Sequence, residues 1–247
     1  VNRCCPPAVR RGSQILAAGC VLALAPVATT AASPTGHPAQ RVQPRRFVQH
    51  IDVDGDGMPD RVVITFSRDL HVVEHNGRGH YTVRVTLTST GHVVERRMQS
   101  LNYFTNLHGR WSPLFGASNL DGRAGKDLVL GFDSGASSSR FHVLRYIHGA
   151  LHLMGTPPAG GPWSGNADIE ESSGYRCTAH GVQTRDYGII GEGKSRRIVI
   201  DRAWFVRRDG AWHRTKRVHK VRHGANPSPP KSDFGTFRCS GLPRGEV

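Results

Sequence analysis

The 247-residue chain is predicted to be all-β, and three observations carry that expectation. Tyr81, Val83, Val85 and Leu87 alternate with His80, Thr82, Arg84 and Thr86, so apolar side chains share one face of a strand and polar ones the other. Short apolar runs recur at 60–66, 80–87, 92–97, 127–132, 140–147, 150–154, 197–206 and 211–217, between clusters of Gly, Asn, Asp and Pro. No stretch after residue 33 sustains a helical period. The expected architecture is three antiparallel blade-like sheets, partial or propeller-like, after a signal peptide and a flexible spacer.

Taken in order, residues 1–32 read as a secretory signal peptide. Arg3, Arg10 and Arg11 precede the apolar run Ile15 to Ala25, and small residues from Val27 to Ser33 offer cleavage points near Ala28 or Ala32. The run stops at Pro26, short of the ~20 residues a membrane span needs, so no span is expected in the mature chain. Ala17-Ala18-Gly19-Cys20 resembles a lipoprotein acceptor site, but the apolar stretch before Cys20 is too short for one. Residues 33–46, rich in Pro, Ser, Gln and Arg, form the spacer, and 47–242 are one domain's worth of chain. The expected location is extracellular or at the cell surface.

Residues 52–60, Asp-Val-Asp-Gly-Asp-Gly-Met-Pro-Asp, are the one place where residue type and spacing name a chemistry. Asp52, Asp54 and Asp56 can converge three carboxylates, Gly57 permits the turn, Met58 offers its backbone oxygen and Asp60 completes the shell around Ca²⁺. The alternative is a plain Asp/Gly turn. Four carboxylates within nine residues repel one another unless a cation sits among them, which favours the metal. The position where a helix-loop-helix site carries its bidentate Glu is Val63, inside the strand-like run Val62 to Phe66. A strand-flanked loop of affinity on the order of 10⁻⁴ to 10⁻³ M is therefore expected, suited to a calcium-rich exterior.

A weak repeat underlies the strands. Ile147-His148-Gly149-Ala150-Leu151-His152 matches Arg208-Asp209-Gly210-Ala211-Trp212-His213, and Thr90-Gly91-His92-Val93 takes that place earlier, which suggests units at about 47–101, 112–155 and 174–219. A degenerate second loop keeps Asn119, Asp121 and Asp127 at calcium spacing but carries Arg123 at the fifth position and Ala124 for the turn glycine. It reads as metal-free, with Arg123 supplying the positive charge. Only Cys177 and Cys239 remain after the signal segment, and an oxidising exterior would join them; buried free thiols are the alternative.

Asp-x-Asp-Gly-Asp-Gly-x-x-Asp leading into a β-branched strand, echoed by Asp121-Gly122 and Gly125-Lys126-Asp127-Leu128-Val129, with Phe115-Gly116-Ala117 as a partial trace, resembles the FG-GAP or VCBS repeats of integrin-type β-propeller proteins found among exported bacterial proteins. The resemblance covers residues 47 to about 155. It implies that Asp52, Asp54, Asp56 and Asp60 bind calcium between strands of a blade. Three units fall short of the four to eight blades that close a propeller, so a partial stack, its last unit sealed by Cys177 and Cys239, is expected.

Two other motifs read better as structure. Gly188 to Ser195 satisfies G-x-x-x-x-G-K-S, but strand-like Arg197-Ile198-Val199-Ile200 stands where a phosphate-binding loop needs a helix. His71-Val72-Val73-Glu74-His75 matches H-x-x-E-H, but Val72-Val73 and the turn Asn76-Gly77 disfavour the helix that zinc hydrolysis requires. Charge is the remaining clue. The net charge of +14 loses only three arginines with the signal segment. Residues 194–223 are densest, with Arg196, Arg197, Arg207, Arg208, Arg214, Lys216, Arg217, Lys220 and Arg222 interleaved with Trp204, Phe205 and Trp212. Such a surface attracts anionic cell-surface polymers, polysaccharide, lipid or nucleic acid, although no sequence-reading nucleic-acid module is visible. The expected function is an exported, calcium-stabilised, non-catalytic binding or structural module; the alternative is a secreted hydrolase with a dispersed active site.

Overall fold

The computed structural model describes residues 46–66, 79–100, 113–134, 137–158, 160–168, 170–192, 195–223 and 237–242. Residues 1–45, expected to form a signal segment and spacer, and the His71–His75 motif lie outside these residues. The described strands are β1 (Arg46–Ile51), β2 (Asp60–Phe66), β3 (Gly79–Thr86), β4 (Val93–Ser100), β5 (Leu114–Ser118), β6 (Asp127–Ser134), β7 (Ser138–Ile147), β8 (Ala150–Leu153), β9 (Trp163–Ala167), β10 (Glu171–Thr178), β11 (Gly181–Ile190), β12 (Arg197–Arg208), β13 (Ala211–His223) and β14 (Phe237–Arg238). No α-helix occurs among the described residues, and none there is long and apolar enough to cross a membrane.

Three four-stranded antiparallel meanders result: β1 to β4, β5 to β8, and β10 to β13. Strand β9 pairs with both β7 and β10, so the second and third meanders merge into one ten-stranded sheet, which does not close into a barrel. The antiparallel blade-like class is as expected. The join through β9 was not legible, because Trp163-Ser164-Gly165-Asn166-Ala167 has one large apolar residue and no alternation.

The middle meander is buried on both faces, which explains the unbroken apolar run of β6. Leu128 and Leu130 of β6 and Leu144 of β7 face the first meander, packing with Val62, Ile64, Val83 and Val85. Val129, Phe141 and Val143 point the other way, onto Trp163, Tyr175, Val182 and Phe237. Ring pairs Trp163–Tyr175 and Tyr175–Phe237, each 4.9 Å between centroids, lie at the centre of that second core. Strand β14 brings Phe237 there, and the Cys177–Cys239 disulfide ties β14 to β10. The bridge closes 62 residues. Replacing both cysteines with serine is expected to cost about 4 kcal/mol by releasing the unfolded chain. An unchanged denaturation midpoint would count against that role.

The glycine-rich run from Gly188 is the end of β11 and its connection to β12, with a strand rather than a helix on the far side. The described residues of the run are followed by a strand where a phosphate cradle needs a helix.

Candidate functional site

The first loop lies between β1 and β2 and closes on itself through its own carboxylates. Asp52 Oδ1 accepts the Gly55 N–H at 2.7 Å and Asp52 Oδ2 the Gly57 N–H at 3.2 Å. Asp54 Oδ1 accepts the Asp56 N–H at 3.2 Å. Buried Asp60 takes the Val53 N–H on Oδ2 and the Thr88 N–H on Oδ1, each at 2.9 Å. Oxygens of Asp52, Asp54 and Asp60 lie within 4.8 Å of one another. Two ligands on one Ca²⁺, each about 2.3–2.6 Å from the ion, can stand roughly that far apart, so this all-oxygen set fits calcium. Burial, followed by the charges of Asp60, Asp56 and Asp52, pushes the Asp54 carboxyl up against the pull of the Asp56 N–H.

One predicted ligand, Asp56, is placed differently. Asp56 stands outside the converging trio, its Oδ1 taking the Met58 N–H at 2.7 Å, and that bond together with one from Ser89 holds its carboxyl below the usual range. Met58 is exposed at the loop tip.

The second loop repeats three of these bonds. Asn119 Oδ1 accepts the Gly122 N–H at 2.6 Å, Asp121 Oδ1 the Arg123 N–H at 3.1 Å, and Asp127 Oδ2 the Leu120 N–H at 2.8 Å. One partner differs. Where Asp60 Oδ1 meets a backbone N–H, Asp127 Oδ1 meets Nη1 of Arg145 at 3.2 Å. The same Nη1 bonds Asp121 Oδ1, and Nη2 donates to Ala124 O at 3.1 Å. Arg145 is therefore the cation of this loop, and the expectation for Arg123 is corrected: Arg123 is exposed. The reason is register. Leu128 pairs with Leu144 across β6 and β7, so the next residue on β7, Arg145, comes to lie opposite Asp127. In the first meander Arg61 pairs with Thr86, so the corresponding place belongs to Leu87, which is apolar and buried.

The two loops also touch. Lys126 N–H donates to Asp52 O at 2.9 Å, and a Cβ on Gly125 (φ 85°) would come within 2.4 Å of Val53 O. Any side chain at Gly125 would push the two loops apart. Burial pushes the Asp127 carboxyl up to about 7, against the pull of Arg145 and the Leu120 N–H.

The basic segment is divided between two faces. Cross-strand partners run Arg176, Gln183, Trp204, Lys216; then Gly174, Arg185, Arg202, Val218; then Ser172, Tyr187, Ile200, Lys220. Ile189, Ile198 and Arg222 continue that face. The acids of β10 to β12, Glu171, Asp186 and Asp201, all fall on the opposite face, with Arg197 and Arg217. A bulge at Thr215 then flips β13, which puts Arg214 beside Phe205 on the acid-bearing face while Lys216 stays on the other. The nine basic residues predicted as one surface are thus corrected to two sets. Arg208, Lys216, Lys220 and Arg222 share the acid-free face. Arg197, Arg207, Arg214 and Arg217 do not, and Arg196 reaches Glu170 at 4.0 Å. Arg207 is half-buried over the Trp212 ring, 5.9 Å from its centroid, and Arg217 binds Asp201 at 3.0 Å. Pairing also brings exposed Arg176 and buried Arg185 to this face from outside the basic segment.

Asp186 and Asp201 are direct cross-strand partners. Burial, then the Asp201 charge, pushes the Asp186 carboxyl up to about 6 from 3.8. A carboxyl that holds its proton more tightly when folded contributes stability below pH 4, and that contribution is lost as pH rises through 6. Asp186→Asn should therefore raise stability against urea at pH 7, by less than about 1 kcal/mol once solvent screening of the side chain is counted, and leave it unchanged at pH 4. A variant less stable at pH 7 would contradict this.

A cleft of about 600 Å³ separates β1 from β5, with Phe47, Ile51 and Leu114 among its walls. His50, Asp52 and Lys126 are its titratable groups, and they form no nucleophile and base pair.

No family model, curated protein or solved structure matches this chain.

Proposed function

We propose that this chain is an exported, calcium-stabilised β-repeat module with a binding or structural role at or beyond the cell surface, of the FG-GAP/VCBS kind, and that it meets anionic polymer. The observation that carries the reading is the pair of loops. Both make three matching backbone bonds, one holds a guanidinium between its carboxylates, and the other has leucine at that place and three converging carboxylates. A divalent ion at Asp52, Asp54 and Asp60 would do for the first loop what Arg145 does for the second. Asp56 would join after a side-chain rotation, with Met58 offering its carbonyl.

Export is supported by the N-terminal Arg-then-apolar pattern and by a disulfide, which persists in oxidising surroundings. The cleft lacks the converging groups a hydrolase needs, and the exposed cations of β13 suit a binding role. Calorimetric titration tests the metal: one Ca²⁺ per chain is expected, with the heat abolished by Asp54→Asn combined with Asp60→Asn. No heat at millimolar calcium would refute the assignment.

A further inference from the structure

Strand β13 ends the ten-stranded sheet and, among the described residues, pairs only with β12, so one side of its backbone has no neighbouring strand there. Eleven of its thirteen residues are exposed, which leaves both faces of the strand open as well as its edge. It carries Arg214, Lys216, Arg217, Lys220 and Arg222 with three histidines and no acid. Beyond the bulge at Thr215 the pairing is regular, and residues 216–223 alternate: Lys216, Val218, Lys220 and Arg222 on one face, Arg217, His219, Val221 and His223 on the other. On its inner side this length already grips a carboxylate of the neighbouring strand. Asp201 of β12 accepts from Arg217 Nη2 at 3.0 Å and lies 3.0 Å from His219 Nδ1. No other acid competes for the outer side. Asp209 sits in the turn at the opposite end of β13, and Glu170, which meets Arg196, continues β10, with β11 and β12 between it and β13.

We propose that residues 216–223 of β13 take up an extended acidic peptide as an added strand, an inference that rests on the binding role proposed above and not on its metal. The edge and its charge together select that occupant. An open strand edge presents N–H donors and C=O acceptors in alternation, and a peptide backbone answers both, whereas a phosphate or sulfate chain offers acceptors alone. Lysine and arginine on an edge guard it against pairing, but here the guard has one sign. A second copy of β13 would set cation against cation, while a strand with acids at alternate positions would set a carboxylate against each of Lys216, Lys220 and Arg222. Val218 and Val221 give each face an apolar contact, so acids interleaved with aliphatic residues complete the match.

Fluorescence anisotropy of a labelled, alternating Glu-Val peptide of about ten residues, titrated with the full chain, tests the proposal. Two further versions, N-methylated at alternate residues and differing in parity, keep the charge while each silences one edge of the peptide. The version whose pairing edge is blocked should bind at least about tenfold more weakly than the parent, and the other should stay within about threefold. The variant K216E/K220E/R222E should lose the Glu-Val peptide and gain a Lys-Val peptide, an exchange that a misfolded chain could not make. Equal binding of the parent and both N-methylated peptides, or of oligo(dT) and the parent, would show charge without pairing and overturn the proposal. Unchanged binding of the acidic peptide by K216E/K220E/R222E would overturn it too. Parallel melts with calcium and chelator separate the two readings. Calcium-indifferent melting with parity-dependent peptide binding sinks the calcium-stabilised module and leaves the edge standing, whereas calcium-dependent melting of a chain that ignores the peptide does the reverse.

Discussion

Calcium at 10 mM is expected to raise the melting temperature of the full chain by about 3–10 °C over chelator. With a dissociation constant on the order of 10⁻⁴ to 10⁻³ M, mass action on the folded state supplies about 1.4–2.7 kcal/mol. For a domain of this size each kcal/mol moves the midpoint by about 2–4 °C. The gain should vanish in Asp54→Asn/Asp60→Asn, and Mg²⁺ should substitute poorly because it demands near-ideal octahedral geometry with short bonds and gives up its water reluctantly. The effect should also be local. The third meander is held by its disulfide and the second loop by Arg145, while the first relies on its packing and its acidic loop. Chelation should therefore speed amide exchange in β1 to β4 well before β10 to β13. A midpoint indifferent to calcium, with uniform exchange, would remove the metal from the account.

Arg145→Ala is expected to be the most damaging single change, at about 3–5 kcal/mol. It strips the cation from Asp121 and Asp127, whose side chains are 1% and 0% exposed, and leaves two buried carboxylates facing each other. The distinctive outcome is rescue. With the guanidinium gone, Asn119, Asp121 and Asp127 become an oxygen cradle like the first loop, so millimolar calcium should restore part of the lost stability and titration should find a second ion per chain. Should Arg145→Ala fail to fold, Arg145→Met with Asp121→Asn and Asp127→Asn keeps the packing without charge, and should melt near wild type without calcium rescue. Arg145→Ala melting within 1 kcal/mol of wild type would show that Arg145 is not the counterion.

The two loops separate what residue order reveals from what folding decides. The acidic loop from Asp52 to Asp60 was legible because its carboxylates are neighbours in the chain, and three of the four converge. The cation of the second loop was not. Arg123 is the arginine nearest in the chain, yet Arg145, 18 residues from Asp127 and 24 from Asp121, holds the place. Strands with their own apolar or β-branched runs, such as β2, β3 and β7, could be placed directly. Strands β5 and β10, with Phe115-Gly116-Ala117 and Ser172-Ser173-Gly174, could not, because they are held in the sheet by neighbours rather than by their own periodicity.

Residue order by itself determined the all-β class, the acidic loop and the excess of positive charge, since period, ligand spacing and composition are properties of neighbouring residues. Only the tertiary structure decided that Arg145 neutralises the second loop, that β9 joins the second and third meanders, and that a bulge at Thr215 carries Arg214 to the face opposite Lys216. The reason is that cross-strand register and a single bulge decide which side chains share a face, and both are fixed by pairing between segments far apart in the chain.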